Sequence, residues 1–238
     1  GITGAHNCLE GKAGLYNVYH MGAYSREKLI NELGKRFEGV NVSIKPYPCC
    51  RGVHAFIDAG LALATKHDLR PDDVESILIQ CGEGTYGLLG SPLEFKTRPR
   101  NPVDSQFSIV WGVAAALARR RATLADFTWE AIKSPDLLGL STKTDVQIEP
   151  EFDRGDQGIE PARVTVRMKG GGTFVEQCDL PTGTPSRPLS FSDIERKFRS
   201  LLEHSRRPIR AVTADRLVET IARLEDLEDA RDLALLTR

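Results

Sequence analysis

Pro46 and Pro48 separate two different periodicities. Upstream, Val42-Ser43-Ile44-Lys45 alternates apolar and polar residues, as a short strand does. Downstream, Val53, Phe56, Ile57, Leu61 and Ala64 share one face of a 3.6-residue repeat, which predicts a helix from Val53 to about Lys66. Each proline fixes its own φ and disfavours helix in the residue before it. The stretch from Lys45 to His54 is therefore a stiff, extended turn that feeds a helix N-terminus.

The same mixture recurs along the chain. Residues 1–22 are broken by glycine and read as loop. Ser25 is a plausible N-cap for a helix running to Phe37. Val74–Cys81 reads as a strand, residues 82–104 as a long irregular loop, and Ser105–Arg121 as an alanine-rich helix with a basic end. Two short helices, Thr123–Lys133 and Ser134–Leu140, follow. Strands are expected at Thr144–Glu149, Ala162–Met168 and Thr173–Leu180, the last two joined by the Lys169–Gly172 turn. Two helices close the chain, with Ser192-Asp193-Ile194-Glu195 read as a capping box and Thr213 as a cap. The pattern gives an α+β fold in which a mixed unit, 41–183, is flanked by helices at 1–40 and 184–238.

Composition narrows the partners. Of 238 residues, 40% are hydrophobic, enough to bury a core. Lysine plus arginine (32) almost balances aspartate plus glutamate (33), which excludes a generally basic nucleic-acid binder or a polybasic membrane anchor. The longest apolar run, Ile109–Leu117, is about half of what a bilayer span needs. With no secretory-type signal at the start, the expected compartment is the cytoplasm. The five cysteines show no CxxC pair and the histidines no HExxH, so no metal site is expected. The chain opens with Gly1, which suits a processed chain, a fragment or one piece of a larger whole.

Reactive side chains concentrate in Lys45-Pro46-Tyr47-Pro48-Cys49-Cys50-Arg51-Gly52-Val53-His54. A helix N-terminus favours an anion and lowers a thiol pKa, and Lys45 and Arg51 offer cations to a carboxylate. His54 suits proton transfer near neutral pH, and Asp58, four residues on, is placed to orient its ring. A purely structural reading stays open: Cys50 as a small buried hydrophobe, His54 as a core hydrogen-bonder. Tyr86, among the glycines of Gly82–Gly87, is a candidate proton donor. Those glycines fit GxGxxG, but no helix is expected after them, so a dinucleotide site is not indicated.

The segments KPYPCCRGVHAFIDAGLAL (45–63), NPVDSQFSIVWGVAAAL (101–117) and RPLSFSDIERKFRSLL (187–202), together with LEDLED (224–229) and the opening GITGAHNCLEGKAGLY, resemble the C-terminal half of the MmgE/PrpD family. That family includes 2-methylcitrate dehydratase, cis-aconitate decarboxylase and iminodisuccinate epimerase. The resemblance implies an all-helical domain, contributed here by 1–40 and 184–238, and an α+β lid over 41–183, with the active site between them. It implies chemistry on di- or tricarboxylic acids by proton abstraction and elimination, as in a hydro-lyase, or by epimerisation or decarboxylation, with no metal or organic cofactor. Lys45 would bind a substrate carboxylate and Arg51 would assist. His54 would be the general acid or base, with Cys50 beside it and Tyr86 completing the catalytic set. Decarboxylase members place a histidine where Cys50 stands, and Val53 replaces a common threonine.

The resemblance also implies that the family's N-terminal half is needed. The terminal helices carry apolar stripes, Ile194, Phe198, Leu201 and Leu202 in one and Leu217, Ile221 and Leu224 in the other, which a partner chain or a homodimer would cover. The alternative reading is a non-catalytic subunit or fragment that binds a partner carrying that half.

Overall fold

The computed structural model describes residues 3–154 and 160–237. It divides into two compact units, Gly1–Val42 and Ser43–Arg238.

The first unit is small and has little interior. It holds α1 (Leu15–His20) and α2 (Arg26–Ile30) and ends in a 3₁₀ turn at Glu38–Asn41. Ser25 caps α2 by accepting from the Lys28 N–H, as its residue type leads one to expect. The helix stops at Ile30 rather than Phe37 because Glu32 and Gly34 adopt positive φ, which ends helical winding. The loop expected over residues 1–22 contains α1, and Gly1 and Ile2 lie outside the described residues. Tyr16 and Tyr24 stack at 4.2 Å, and Arg26 pairs with Glu10 at 2.6 Å.

The second unit is built on a four-stranded mixed sheet. Its strands are β1 (Val74–Cys81), β2 (Thr144–Ile148), β3 (Ala162–Met168) and β4 (Thr173–Cys178), in the order β2-β1-β3-β4. β1 runs parallel to β2 and antiparallel to β3, and β3 and β4 form the hairpin expected from the Lys169–Gly172 turn. Ile77 and Ile79 lie opposite Thr144 and Val146 on one side and Val166 and Val164 on the other. These side chains face one core layer, formed by α3 (His54–Lys66) and by the alanine-rich helix from Ile109 to Arg119.

The glycine- and proline-rich stretch after β1 is ordered into helical turns, not an irregular loop. It contains α4 (Glu83–Thr85), a π-type turn at Tyr86–Gly90, α5 (Leu93–Thr97) and α6 (Pro102–Gln106). Pro92 and Asn101 start α5 and α6, where proline's fixed φ and an asparagine cap suit a first turn. The helix expected over 105–121 is thus two elements, α6 and α7 (Ile109–Arg119), with Ser108 capping α7 by accepting from the Trp111 N–H. The helix expected over 123–133 is two 3₁₀ turns, and α8 (Pro135–Ser141) packs on α7.

Glycine sets how closely α3 and α7 meet. A Cβ on Gly112 would stand 2.5 Å from Val53 Cγ1, and one on Gly60 2.9 Å from the Ala116 Cβ. Contact this tight admits only hydrogen, so the N-terminal end of α3 is fixed against α7.

The last described elements are α9 (Phe191–Leu202), α10 (Ala211–Ile221) and α11 (Arg231–Leu235). The capping box at α9 uses Ser190 and Asp193, two residues before the expected pair, and α10 starts after Arg210 without a Thr213 cap. α10 buries Ala214 and Leu217, while α9 buries none of its residues and leaves Ile194 and Leu201 exposed. Among the described residues, no helix is long and apolar enough to cross a membrane.

Candidate functional site

Val42–Lys45 is extended but, among the described residues, pairs with no strand; the Ile44 N–H donates to Gly183 O at 2.8 Å and the Lys45 carbonyl accepts from Lys197 Nζ at 2.6 Å. Gly183 has φ +91, and a Cβ there would overlap the Ile44 carbonyl at 2.0 Å, so only glycine lets the two segments meet. From this anchor the two prolines carry the chain to a 3₁₀ turn at Arg51–Val53, which runs directly into α3.

The turn folds back on itself. Lys45 reaches over it and donates Nζ to the Cys49 carbonyl at 3.1 Å. The Cys49 backbone also favours the protonated form of the His54 ring. Lys45 and His54 therefore lie at the two ends of one folded turn and both interact with Cys49. Lys45 is exposed, whereas His54 is 1% exposed and its Nε2 is buried without a hydrogen-bond partner among the described residues. Burial pushes the imidazole pKa down to about 4; the Cys49 backbone and Asp58 oppose this, and Lys45 and Arg51 reinforce it. The ring is neutral at pH 7, with one nitrogen free to take a proton.

Asp58 does not orient the ring directly. Its carboxylate accepts from the Tyr47 hydroxyl at 2.5 Å, the Thr182 N–H at 2.7 Å and Arg187 at 3.1 Å. The expectation of a His54–Asp58 pair took the i,i+4 spacing alone. Three better-placed donors claim the carboxylate, two of them from a segment far along the chain.

The other candidates surround this pair. Cys50 is half-buried, precedes the 3₁₀ turn and donates its N–H to the Gln106 carbonyl at 2.9 Å. Its neighbour Cys49 is buried, and desolvation pushes its thiol up to about 12, so it is inert as a nucleophile. Arg51 is exposed and donates to Ser43 Oγ at 2.9 Å. Tyr86 begins the π-type turn and is half-buried. Leu89 of that turn abuts Gly52, where a Cβ would lie 2.6 Å from Leu89 Cδ1. The Tyr86 turn thus packs on the motif turn, although among the described residues no hydrogen bond joins the Tyr86 side chain to the motif.

Lys96 was not singled out in the sequence. Its Nζ donates to the Leu88 and Phe107 carbonyls, each at 2.8 Å, and so ties the Tyr86 turn to the segment that holds Cys50. Burial lowers its pKa, against the opposing charges of Asp104 and Cys50. The proline-started run Leu93–Thr97 was the available signal, hidden by the glycine and proline density around it. An open cleft of about 520 Å³ lies on Tyr47, lined also by Leu61, Leu124, Leu201, Arg121 and Lys197; His54 is not part of its wall. Among the described residues, no group of three or more His, Cys, Asp or Glu side chains is placed to hold a metal ion.

Comparison with known proteins matches the same region. The MmgE/PrpD C-terminal domain model matches residues 47–222. Cis-aconitate decarboxylase of Aspergillus terreus is 23% identical over 217 residues, covering 88% of this chain and 44% of that protein. The cis-aconitate decarboxylases of Mus musculus and Homo sapiens are each 24% identical, covering 83% and 100% of this chain and 40% and 48% of theirs. The chain therefore spans about half the length of these curated relatives or less. With the family model spanning the motif turn, the whole sheet, α9 and α10, this chain belongs to the MmgE/PrpD family.

Proposed function

We propose that this chain supplies the proton-transfer half of an active site that acts on di- or tricarboxylic acids, by abstraction of a proton beside a carboxylate and elimination, as in a hydro-lyase. The observation that carries the reading is the buried, unpartnered Nε2 of His54, at the end of a turn across which the Lys45 ammonium donates to the Cys49 carbonyl. Leaving a buried polar atom unpaired costs about 1–3 kcal/mol, a cost that a substrate's proton would relieve.

The electrostatics fit that role. A bound polycarboxylate would place negative charge beside His54 and raise its pKa from about 4 toward neutrality. The ring is then a base able to hold the proton it takes, with a proton affinity that rises only when substrate is present. Lys45 and Arg51 would bind substrate carboxylates, and charge growing on the carbon acid would be stabilised by Lys45 and the N-terminal end of α3. Tyr86 and Cys50 would act on the leaving group from the neighbouring turns. In this reading 41–183 is the lid, and 1–40 and 184–238 are parts of a helical domain. The rest of that domain, on the same polypeptide or on a partner chain, forms the second wall of the cleft. A homodimer through the exposed α9 stripe is the other arrangement.

The named relatives favour a second reading, decarboxylation. There carbon dioxide leaves in place of a proton, and the carbanion takes a proton from an acid in the same place. Epimerisation, or a non-catalytic subunit, stands behind both. The test is a panel of hydroxy-di- and tricarboxylic acids and cis-aconitate, offered to the chain together with the remaining half. Water loss from a hydroxy acid supports the first reading, and carbon dioxide release from cis-aconitate the second. Binding without turnover of any member would overturn both in favour of the non-catalytic subunit.

A further inference from the structure

We propose that Tyr47, Asp58 and Arg187 form a positioning unit that holds the His54 ring with Nε2 bare, an inference that rests on the reading of His54 as the proton-transfer group.

The chain of contacts is continuous. The Tyr47 and His54 rings meet edge to face, with centroids 5.2 Å apart and planes at 75°. A ring contact alone leaves a tyrosine free to slide, but the Tyr47 hydroxyl is fixed to Asp58 Oδ1 at 2.5 Å. Asp58 is itself fixed from the opposite side, where Oδ2 accepts from the Thr182 N–H at 2.7 Å and from Arg187 at 3.1 Å. Arg187 also donates to the Leu180 carbonyl at 3.1 Å, which braces its guanidinium against the 180–187 segment. Gly183, in the same segment, is bonded to Ile44 just before the motif. One short segment therefore holds both the start of the motif turn and the carboxylate beneath its tyrosine.

The unit does two things to His54. It places a wall on one side of the imidazole, whose Nε2 is buried and without a hydrogen-bond partner among the described residues. It also sets the field. The charged groups acting on His54 are Lys45 and Arg51 from the motif turn and Asp58 from α3, with the polar Cys49 backbone and the titratable Tyr47 ring beside them. Asp58 favours the protonated ring, and its three donors, the Tyr47 hydroxyl, the Thr182 N–H and Arg187, temper that effect by occupying its oxygens.

The test is a ¹⁵N-imidazole NMR titration of the full chain, with the His54 signal assigned by His54→Gln. Tyr47→Phe keeps the ring and removes only the hydroxyl. Arg187→Gln alters a half-exposed side chain, so the fold is expected to survive it. Both release Asp58 and are expected to raise the His54 midpoint by about half a unit or more, and Asp58→Asn to lower it. In the assembled protein, Tyr47→Phe should lower kcat about tenfold with little change in KM. Folded variants with an unmoved His54 midpoint and unmoved imidazole shifts would overturn the positioning unit. The outcomes separate the two claims: if His54→Gln retains turnover, the catalytic reading fails while the titration shifts stand. If His54→Gln abolishes turnover and Tyr47→Phe moves neither midpoint nor kcat, only the positioning unit fails.

Discussion

The Lys45 ammonium donates to the Cys49 carbonyl at 3.1 Å, and the same Cys49 backbone favours the protonated form of the His54 ring. A turn of ten residues thus has a cation at one end and a neutral base at the other. Two prolines and a glycine clamp hold that turn, so little entropy remains to be lost when a ligand binds.

His54 should make the protein acid-sensitive in a defined window. Its folded pKa, about 4, lies below the ordinary 6.5, so between those values the unfolded chain binds the extra proton. Stability is full above pH 6.5 and declines as pH falls toward 4, with a loss of about 3 kcal/mol from this group. Urea unfolding of wild type and His54→Gln from pH 7 to pH 4.5 checks it. The variant should show a shallower decline, and equal slopes would exclude the buried neutral histidine.

Asp58→Ala removes the acceptor for Tyr47, Thr182 and Arg187 together. A buried hydroxyl and a backbone N–H then lose their partner, at an expected cost of about 2–4 kcal/mol. Arg187→Ala, on the half-exposed side of the pair, should cost less than half as much. Chemical denaturation at pH 7 compares the two, and equal losses would show that the Tyr47 and Thr182 bonds carry nothing.

Gly112→Ala should strain the contact between α7 and the start of α3, because the new methyl meets Val53 at 2.5 Å and Ile57 at 3.0 Å. The expected loss is about 1–3 kcal/mol, part of which Val53→Ala should restore in the double variant. Thermal melts of the four proteins measure the coupling. Simple additivity would contradict the close approach.

Lys96→Met leaves two backbone carbonyls, Leu88 and Phe107, without their donor. A stability loss of about 1–3 kcal/mol is expected, concentrated as faster amide exchange in 86–90 and 105–108. Exchange that rises uniformly across the sheet would argue against a local tie.

The α+β architecture was legible because its signals are local. Alternation marks Ile77 and Ile79, 3.6 periodicity marks α3, and the three glycines after Lys169 mark the hairpin. The region 82–104 reads as loop in sequence but folds into helical turns, because glycine and proline punctuate such turns as readily as they break them, and Pro92, Asn101 and Pro102 start helices here. The motif turn was legible for the same reason that it is rigid: its prolines act on neighbouring residues. What could not be read was the partner of Asp58. The i,i+4 spacing pointed to His54, but Thr182 and Arg187 lie more than 120 positions away, and only the folded chain brings them in.

The direct test of His54 as the proton-transfer group is solvent deuterium incorporation at the carbon next to the substrate carboxylate, measured with the remaining half present. Wild type should incorporate deuterium at its turnover rate or faster. His54→Gln should fall by a factor of about 10²–10⁴ while still binding the substrate through Lys45 and Arg51. Incorporation by His54→Gln at the wild-type rate would contradict the assignment.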